Sequence, residues 1–125
     1  MTPADPRFLE GVRLFNAREF FEAHEVWEDL WHEMAGADRR FVQGLIQAAV
    51  CVYHAGNGNA RGAGRLFESA RRYMTAYGPA HWGVDVAGFW AAMAAALGEF
   101  VGEPAAGAPR LLPELLPTIT LRPVD

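Results

Sequence analysis

The chain has 125 residues, which is enough for one hydrophobic core and too few for two. Hydrophobic residues make up 51% and charged residues 21%, which excludes a chain too polar to collapse. Lys and Arg number 11 against 15 Asp and Glu, a net charge of −4 with neutral His, and this balance argues against nucleic acid as a partner, because phosphate-backbone binding needs a concentrated basic surface.

The N-terminal Met1-Thr2-Pro3-Ala4-Asp5 lacks the basic start and apolar stretch of a signal peptide. No apolar run is long enough for a membrane span, so no membrane association and a cytoplasmic location are expected. Asp5-Pro6 reads as a helix start, with Asp at the cap and Pro at the first helical position. Phe8, Leu9, Val12 and Phe15 follow at helical spacing up to a turn near Asn16-Ala17.

A second helix is expected from about Arg18 to Met34, with Phe20, Ala23, Val26, Trp27, Leu30, Trp31 and Met34 on its apolar side and Glu22, Glu25, Asp29, His32 and Glu33 opposite. His24 and Glu28 fall one turn apart at the edge of the apolar stripe. Gly36 and Asp38 supply a stop and a cap, and a third helix from about Arg39 to Ala55 is apolar around most of its circumference, which places it centrally. Gln43, Gln47 and His54 are its ordered exceptions and form one narrow polar line. Cys51, the single cysteine, sits in the apolar run Ala48 to Val52 and reads as a small buried side chain, with no flanking charge to activate it.

Gly56-Asn57-Gly58-Asn59 is a turn. A fourth helix, about Ala60 to Tyr77, turns Leu66, Phe67, Ala70, Tyr73 and Met74 inward until Gly78-Pro79 stops it. Arg61, Arg65 and Arg72 share one of its faces and read as a solvated surface. A loop through His81, Trp82 and Gly83 leads to a fifth helix from about Asp85 to Val101. From Gly102 the Pro, Ala and Gly content reads as a linker, and the apolar segment Leu111 to Ile119 is expected to lie extended over the bundle or over a neighbouring protomer. The expected fold is therefore all-α: a single five-helix bundle over residues 1–102 with an extended, Pro-rich C-terminal tail over 103–125, through which a homo-oligomer could form.

A His and a Glu four apart on a helix can aim both tips at one point, as when one helix supplies two metal ligands. The expectation is that His24 and Glu28 meet Gln43, Gln47 and His54 inside the apolar core. There each polar group must find a partner, because an unpaired one costs about 1–3 kcal/mol. Two readings follow. In one, the groups satisfy each other as a structural network, and the protein is a non-catalytic interaction or scaffold domain. In the other they converge on a ligand: His24, Glu28 and His54 on a divalent transition metal, with Gln43, Gln47, Trp31 and Glu25 lining a binding site. The run His24-Glu25-x-x-Glu28 also looks like the zinc-protease helix motif with its second His replaced. Glu25, the general base of that reading, lies about 100° from His24 toward solvent, which disfavours it.

The segments NAREFFEAHEVWEDLW over residues 16–31, FVQGLIQ over 41–47 and Tyr53-His54 resemble the bacterial and archaeal family called domain of unknown function 309. Its signature is a His, three residues, a Glu, two residues and an aromatic, which His24, Glu28 and Trp31 match. The resemblance covers roughly residues 8–80 and implies a small all-α fold with a suggested metal-binding role for the motif. It implies no activity.

Overall fold

The computed structural model describes residues 5–101 and 109–122. Five helices follow in order: α1 (Pro6–Asn16), α2 (Phe20–His32), α3 (Arg39–Gly56), α4 (Ala60–Thr75) and α5 (Val86–Leu97). A two-stranded antiparallel hairpin, β1 (Ala80–His81) and β2 (Val84–Asp85), precedes α5, and single 3-10 turns occupy Gly98–Phe100 and Pro113–Leu115.

The helix ends follow local chemistry. Asp5 Oδ1 accepts from the Arg7 backbone N–H at 2.9 Å and caps α1, with Pro6 behind it. The same carboxylate bonds the Arg7 side chain, which lowers its pKa below the usual Asp range. The exit from α1 is a Schellman turn: Glu19 N–H reaches Leu14 O at 2.9 Å and Arg18 N–H reaches Phe15 O at 3.0 Å. Arg18 takes the left-handed backbone that this turn requires, at φ 70°, so α2 begins at Phe20 and not at Arg18. At its other end Glu33 and Met34 bond back only three residues, to Leu30 O and Trp31 O, which tightens the chain out of the α-helix before Met34.

Asn59 and Asp85 cap α4 and α5 by accepting from Gly62 N and Gly88 N at 3.0 Å each. Asp38 stands at the α3 cap position, but its side chain makes no cap bond. It pairs with His81 at 2.7 Å. The loop expected around Trp82-Gly83 is a hairpin instead, with both residues at positive φ, 53° and 77°, as a type I′ turn demands. Trp82 is held there by Phe8 and Phe41, with ring centroids at 5.2 and 5.9 Å.

The core gathers on Trp27, Phe8, Phe15, Phe41, Leu45, Met74 and Met93, all essentially without solvent exposure. α3 packs along both α2 and α4, in the central position its apolar circumference suggests. Cys51 is buried, its Sγ donates to Ala63 O at 3.2 Å, and burial pushes its pKa up to about 12. It is a packed thiol and not a nucleophile. Among the described residues none that is fully buried is polar or charged. This corrects the expectation of a polar stripe inside the core, because the stripe sits on the rim.

Residues 109–122 lie against the α1 exit and the hairpin. Asn16 Nδ2 donates to Ile119 O at 2.9 Å and Ile119 N donates to Asn16 Oδ1 at 2.7 Å. Ile119 is buried, Leu121 bridges Val84, and Arg122 N donates to Gly83 O at 2.8 Å. The linker expected from Gly102 falls on residues 102–108, outside the described residues.

No helix among the described residues is long and apolar enough to cross a membrane. The tightest constraint in the bundle is at Gly11, where an added Cβ would overlap the indole of Trp27. Trp27 is fully buried and its Nε1 donates to Phe8 O at 3.1 Å, so neither ring nor helix can give way. Gly11→Ala is expected to lower unfolding free energy by about 2–3 kcal/mol, the upper range for overpacking. Urea denaturation measures this, and a loss under about 0.5 kcal/mol, typical of surface sites, would show that the α1–α2 contact is looser than described.

Candidate functional site

Helical geometry fixes where the motif residues can point. Taking Trp27 as the inward direction of α2, a step of 100° per residue puts Trp31 about 40°, His24 about 60°, Glu28 about 100° and Phe21 about 120° round toward one side. These four therefore climb from the core to the surface along one flank, the flank that faces α3.

On that flank Trp31, Glu28, Gln43, Ile46 and Gln47 surround a shallow cavity of about 260 Å³ between α2 and α3. Two of its lining residues each carry a buried polar atom that lacks a hydrogen-bond partner among the described residues: the donor Trp31 Nε1 and the acceptor Gln47 Oε1. Trp90 Nε1 on α5 is similarly placed, so one unpaired indole is not in itself distinctive. A donor and an acceptor sharing one cavity are. The Arg39 guanidinium lies 3.6 Å from the centroid of the Trp31 ring and holds the ring in place. Gln43 Nε2 donates to Tyr73 Oη of α4 at 3.3 Å, which braces the far wall.

His24 is half-buried at the upper end of the flank. Its Nδ1 lies 2.7 Å from Phe21 O. A carbonyl can only accept, so Nδ1 carries the hydrogen and Nε2 is left facing Glu28 Oε2 at 3.5 Å. Glu28 also faces His32 Nε2 at 3.6 Å through its other oxygen. Both separations exceed the usual hydrogen-bond range of about 2.7–3.2 Å, and the Glu28 side chain is 46% exposed. The carboxylate is thus loosely shared by two imidazoles in partial contact with water.

The expected metal set does not assemble. Tyr53 meets Phe21 of α2 at a ring-centroid distance of 5.2 Å. His54, about 100° further round α3, therefore turns to the α4 side. Its Nδ1 lies 3.4 Å from Asn59 Nδ2 in the α3–α4 turn. Among the described residues no group of three or more His, Cys, Asp or Glu is placed to hold a metal ion. The donors around His24 and Glu28 therefore do not fit such a centre. Glu25 is exposed and lies outside the walls of the cavity, about 160° from the inward direction of α2.

Ile46, Tyr73 and Phe21 belong to the site's surroundings, and the sequence pattern did not single them out for it. Phe21 carried one signal, being a large aromatic that lies off the apolar stripe of α2. In the fold it is 41% exposed beside Tyr53 at 38%, a small aromatic patch at the mouth of the flank.

Residues 8–66, which contain most of α1, all of α2 and α3 and the start of α4, match the model of a family described as "Domain of unknown function (DUF309)". The match covers 59 of the 125 residues, so this segment is similar to that family. The chain is also similar to "Uncharacterized protein YpuF" of Bacillus subtilis (strain 168), with 38% identity over 66 residues, or 52% of this chain. The match spans 38% of that relative's own length. The DUF309 segment thus includes every residue that surrounds the α2–α3 cavity, and neither description names a ligand or a reaction.

Because Glu28 makes only long, wetted ion pairs, its removal is expected to cost little. Glu28→Ala should change stability by less than about 1 kcal/mol, as for exposed pairs. A loss of about 3 kcal/mol or more in chemical denaturation, the size expected for a broken buried pair, would instead make the His24–Glu28–His32 run a structural core element.

Proposed function

We propose that the DUF309-like domain is a binding module whose α2–α3 cavity takes a small polar ligand with an amide-like edge. Such a ligand offers a carbonyl to Trp31 Nε1 and an N–H to Gln47 Oε1. The observation that supports this is the pairing of an unsatisfied buried donor and acceptor in one cavity. Each leaves an energetic debt of about 1–3 kcal/mol when unpaired, and a ligand carrying both complements settles two at once. His24 and Glu28 rim the same flank and supply a charge beside the mouth, where they would select among ligands by their polar substituents. The cavity walls hold one carboxylate and no nucleophile with an adjacent base, so binding and not covalent chemistry is the reading the residues favour.

The probe is 2-pyrrolidone, whose ring holds C=O and N–H side by side, with cyclopentanone as the acceptor-only comparison. In ¹H–¹⁵N spectra 2-pyrrolidone is expected to move the Trp31 indole resonance saturably and the other three tryptophan indoles little. Gln47→Leu should weaken this response and bring the lactam down to the level of the ketone. Gln47→Leu should keep stability within about 1 kcal/mol of the parent, since the Oε1 it removes had no partner. Equal responses at all four indoles, or none at Trp31, would end the proposal.

A second reading rests on Leu112, Leu115 and Leu121, which stand exposed in the described C-terminal segment. They favour contact with a second copy of the chain through that segment. A Leu112→Ser/Leu115→Ser variant should then run at lower mass than the parent in light scattering, and two identical monomer masses would dismiss it.

A further inference from the structure

We infer that the cleft between the first turn of α3 and the C-terminal half of α4 is an oxyanion site for phosphate or a small phosphomonoester. Its volume is about 320 Å³, and Arg40, Ser69, Arg72, Tyr73, Ala76 and Tyr77 surround it. No carboxylate is among them. That composition runs against the chain as a whole, where acids outnumber bases by 15 to 11.

Three arginines elsewhere are ion-paired, whereas Arg61 and Arg65 stand unpaired on the solvated face of α4. Arg7 pairs with Asp5 and Glu33, Arg13 with Glu10 and Arg71 with Glu68. The Arg40 and Arg72 side chains make no ion pair or hydrogen bond among the described residues. The nearby acids are engaged: Asp38 by His81 at 2.7 Å and Glu68 by Arg71 at 3.0 Å. Two guanidiniums from different helices thus border one concavity with no counter-charge among the described residues that surround it. The positive end of α3 and the negative end of α4 both lie here and offset one another, so the guanidiniums set the sign.

The hydroxyls suit an anion as well. Tyr73 Oη accepts from Gln43 Nε2 at 3.3 Å, which leaves its own hydrogen to donate. The Ser69 hydroxyl has no hydrogen bond among the described residues, while Tyr77 donates to Ala37 O and is already committed. Two guanidiniums and two hydroxyls are the donor set that a tetrahedral, multiply charged oxyanion uses well. By spacing Arg72 belongs with Arg61 and Arg65 on a solvated face. The fold adds Arg40 from α3, a neighbour that no periodicity along α4 could supply. The site shares no wall residue with the α2–α3 cavity and stands without that proposal.

The test titrates the full chain with sodium phosphate against sodium chloride at matched ionic strength, followed by ¹H–¹⁵N spectra. Saturable shifts at Arg40, Ser69, Arg72 and Tyr73 with phosphate alone are expected. Arg40→Gln and Arg72→Gln should each weaken binding about tenfold, the effect of losing one charge-assisted hydrogen bond. Arg61→Gln should leave it unchanged. All three arginines are exposed, so the fold survives the changes, and unshifted resonances across α1 and α5 verify this. Ribose 5-phosphate separates the sources: tighter binding than inorganic phosphate assigns a phosphomonoester, and equal binding assigns the free anion. Identical shifts with chloride, or an equal loss in Arg61→Gln, would reduce the effect to general charge screening and overturn the inference.

Discussion

The buried indole of Trp27 sets the rotational phase of α2, and the phase of α2 decides what the DUF309 motif can do. With Nε1 bonded to Phe8 O at 3.1 Å and the ring filling the space left by Gly11, α2 cannot turn about its axis without breaking a buried hydrogen bond. Trp31, His24 and Glu28 then fall about 40–100° from the inward direction. A smaller angle would sink His24 and Glu28 into hydrocarbon, where each would demand a full partner. A larger one would leave them as ordinary wetted residues. The observed phase keeps Trp31 mostly covered and Glu28 nearly half in water.

The central position of α3 turns this flank into a groove. The helix packs on α2 along one side and on α4 along the other, so its outward strip of Arg40, Gln43 and Gln47 runs between two walls. Gln43 belongs to the α2–α3 cavity and donates to Tyr73, which belongs to the α3–α4 cleft. One amide therefore joins the two concavities, and displacement of Tyr73 would be felt by Gln43. Along the same strip Arg40 and Gln47 are seven residues apart, about 10 Å of helix axis. The two cavities are neighbours on one face of the molecule and differ in chemistry, amide-lined with one carboxylate beside α2 and cationic beside α4.

Much of the helical frame was legible in the sequence because it is written in local terms. Asp5-Pro6 names its own cap, Gly78-Pro79 lies just beyond the end of α4, and an apolar circumference can be satisfied only at the centre, where α3 lies. What stayed hidden depends on groups distant along the chain. The hairpin at Ala80 to Asp85 has strands of two residues, too short for any alternation to register. His54 shares the angular line of Gln43 and Gln47 yet turns to Asn59, since only the packing of Tyr53 on Phe21 reveals which side of that line meets α2. Helical spacing placed His24 and Glu28 at the edge of the apolar stripe, which is where they are. The step from edge to interior failed because an amphipathic pattern gives direction but not depth.

Whether the polar flank is structural or functional turns on how well it closes upon itself. A network that exists to specify packing should leave no member unpaired, because each unsatisfied buried atom subtracts from the stability it is meant to secure. Here the imidazole contacts to Glu28 are 3.5 and 3.6 Å, too long to be strong. Trp31 Nε1 and Gln47 Oε1 find no hydrogen-bond partner within the described protein. Neighbouring donors are engaged elsewhere: Gln43 Nε2 on Tyr73, His24 Nδ1 on Phe21 O, and the Arg39 guanidinium on the face of Trp31. A flank whose donor and acceptor stay open among the described residues does not close upon itself, and that supports reading it as a binding surface and not as a packing network.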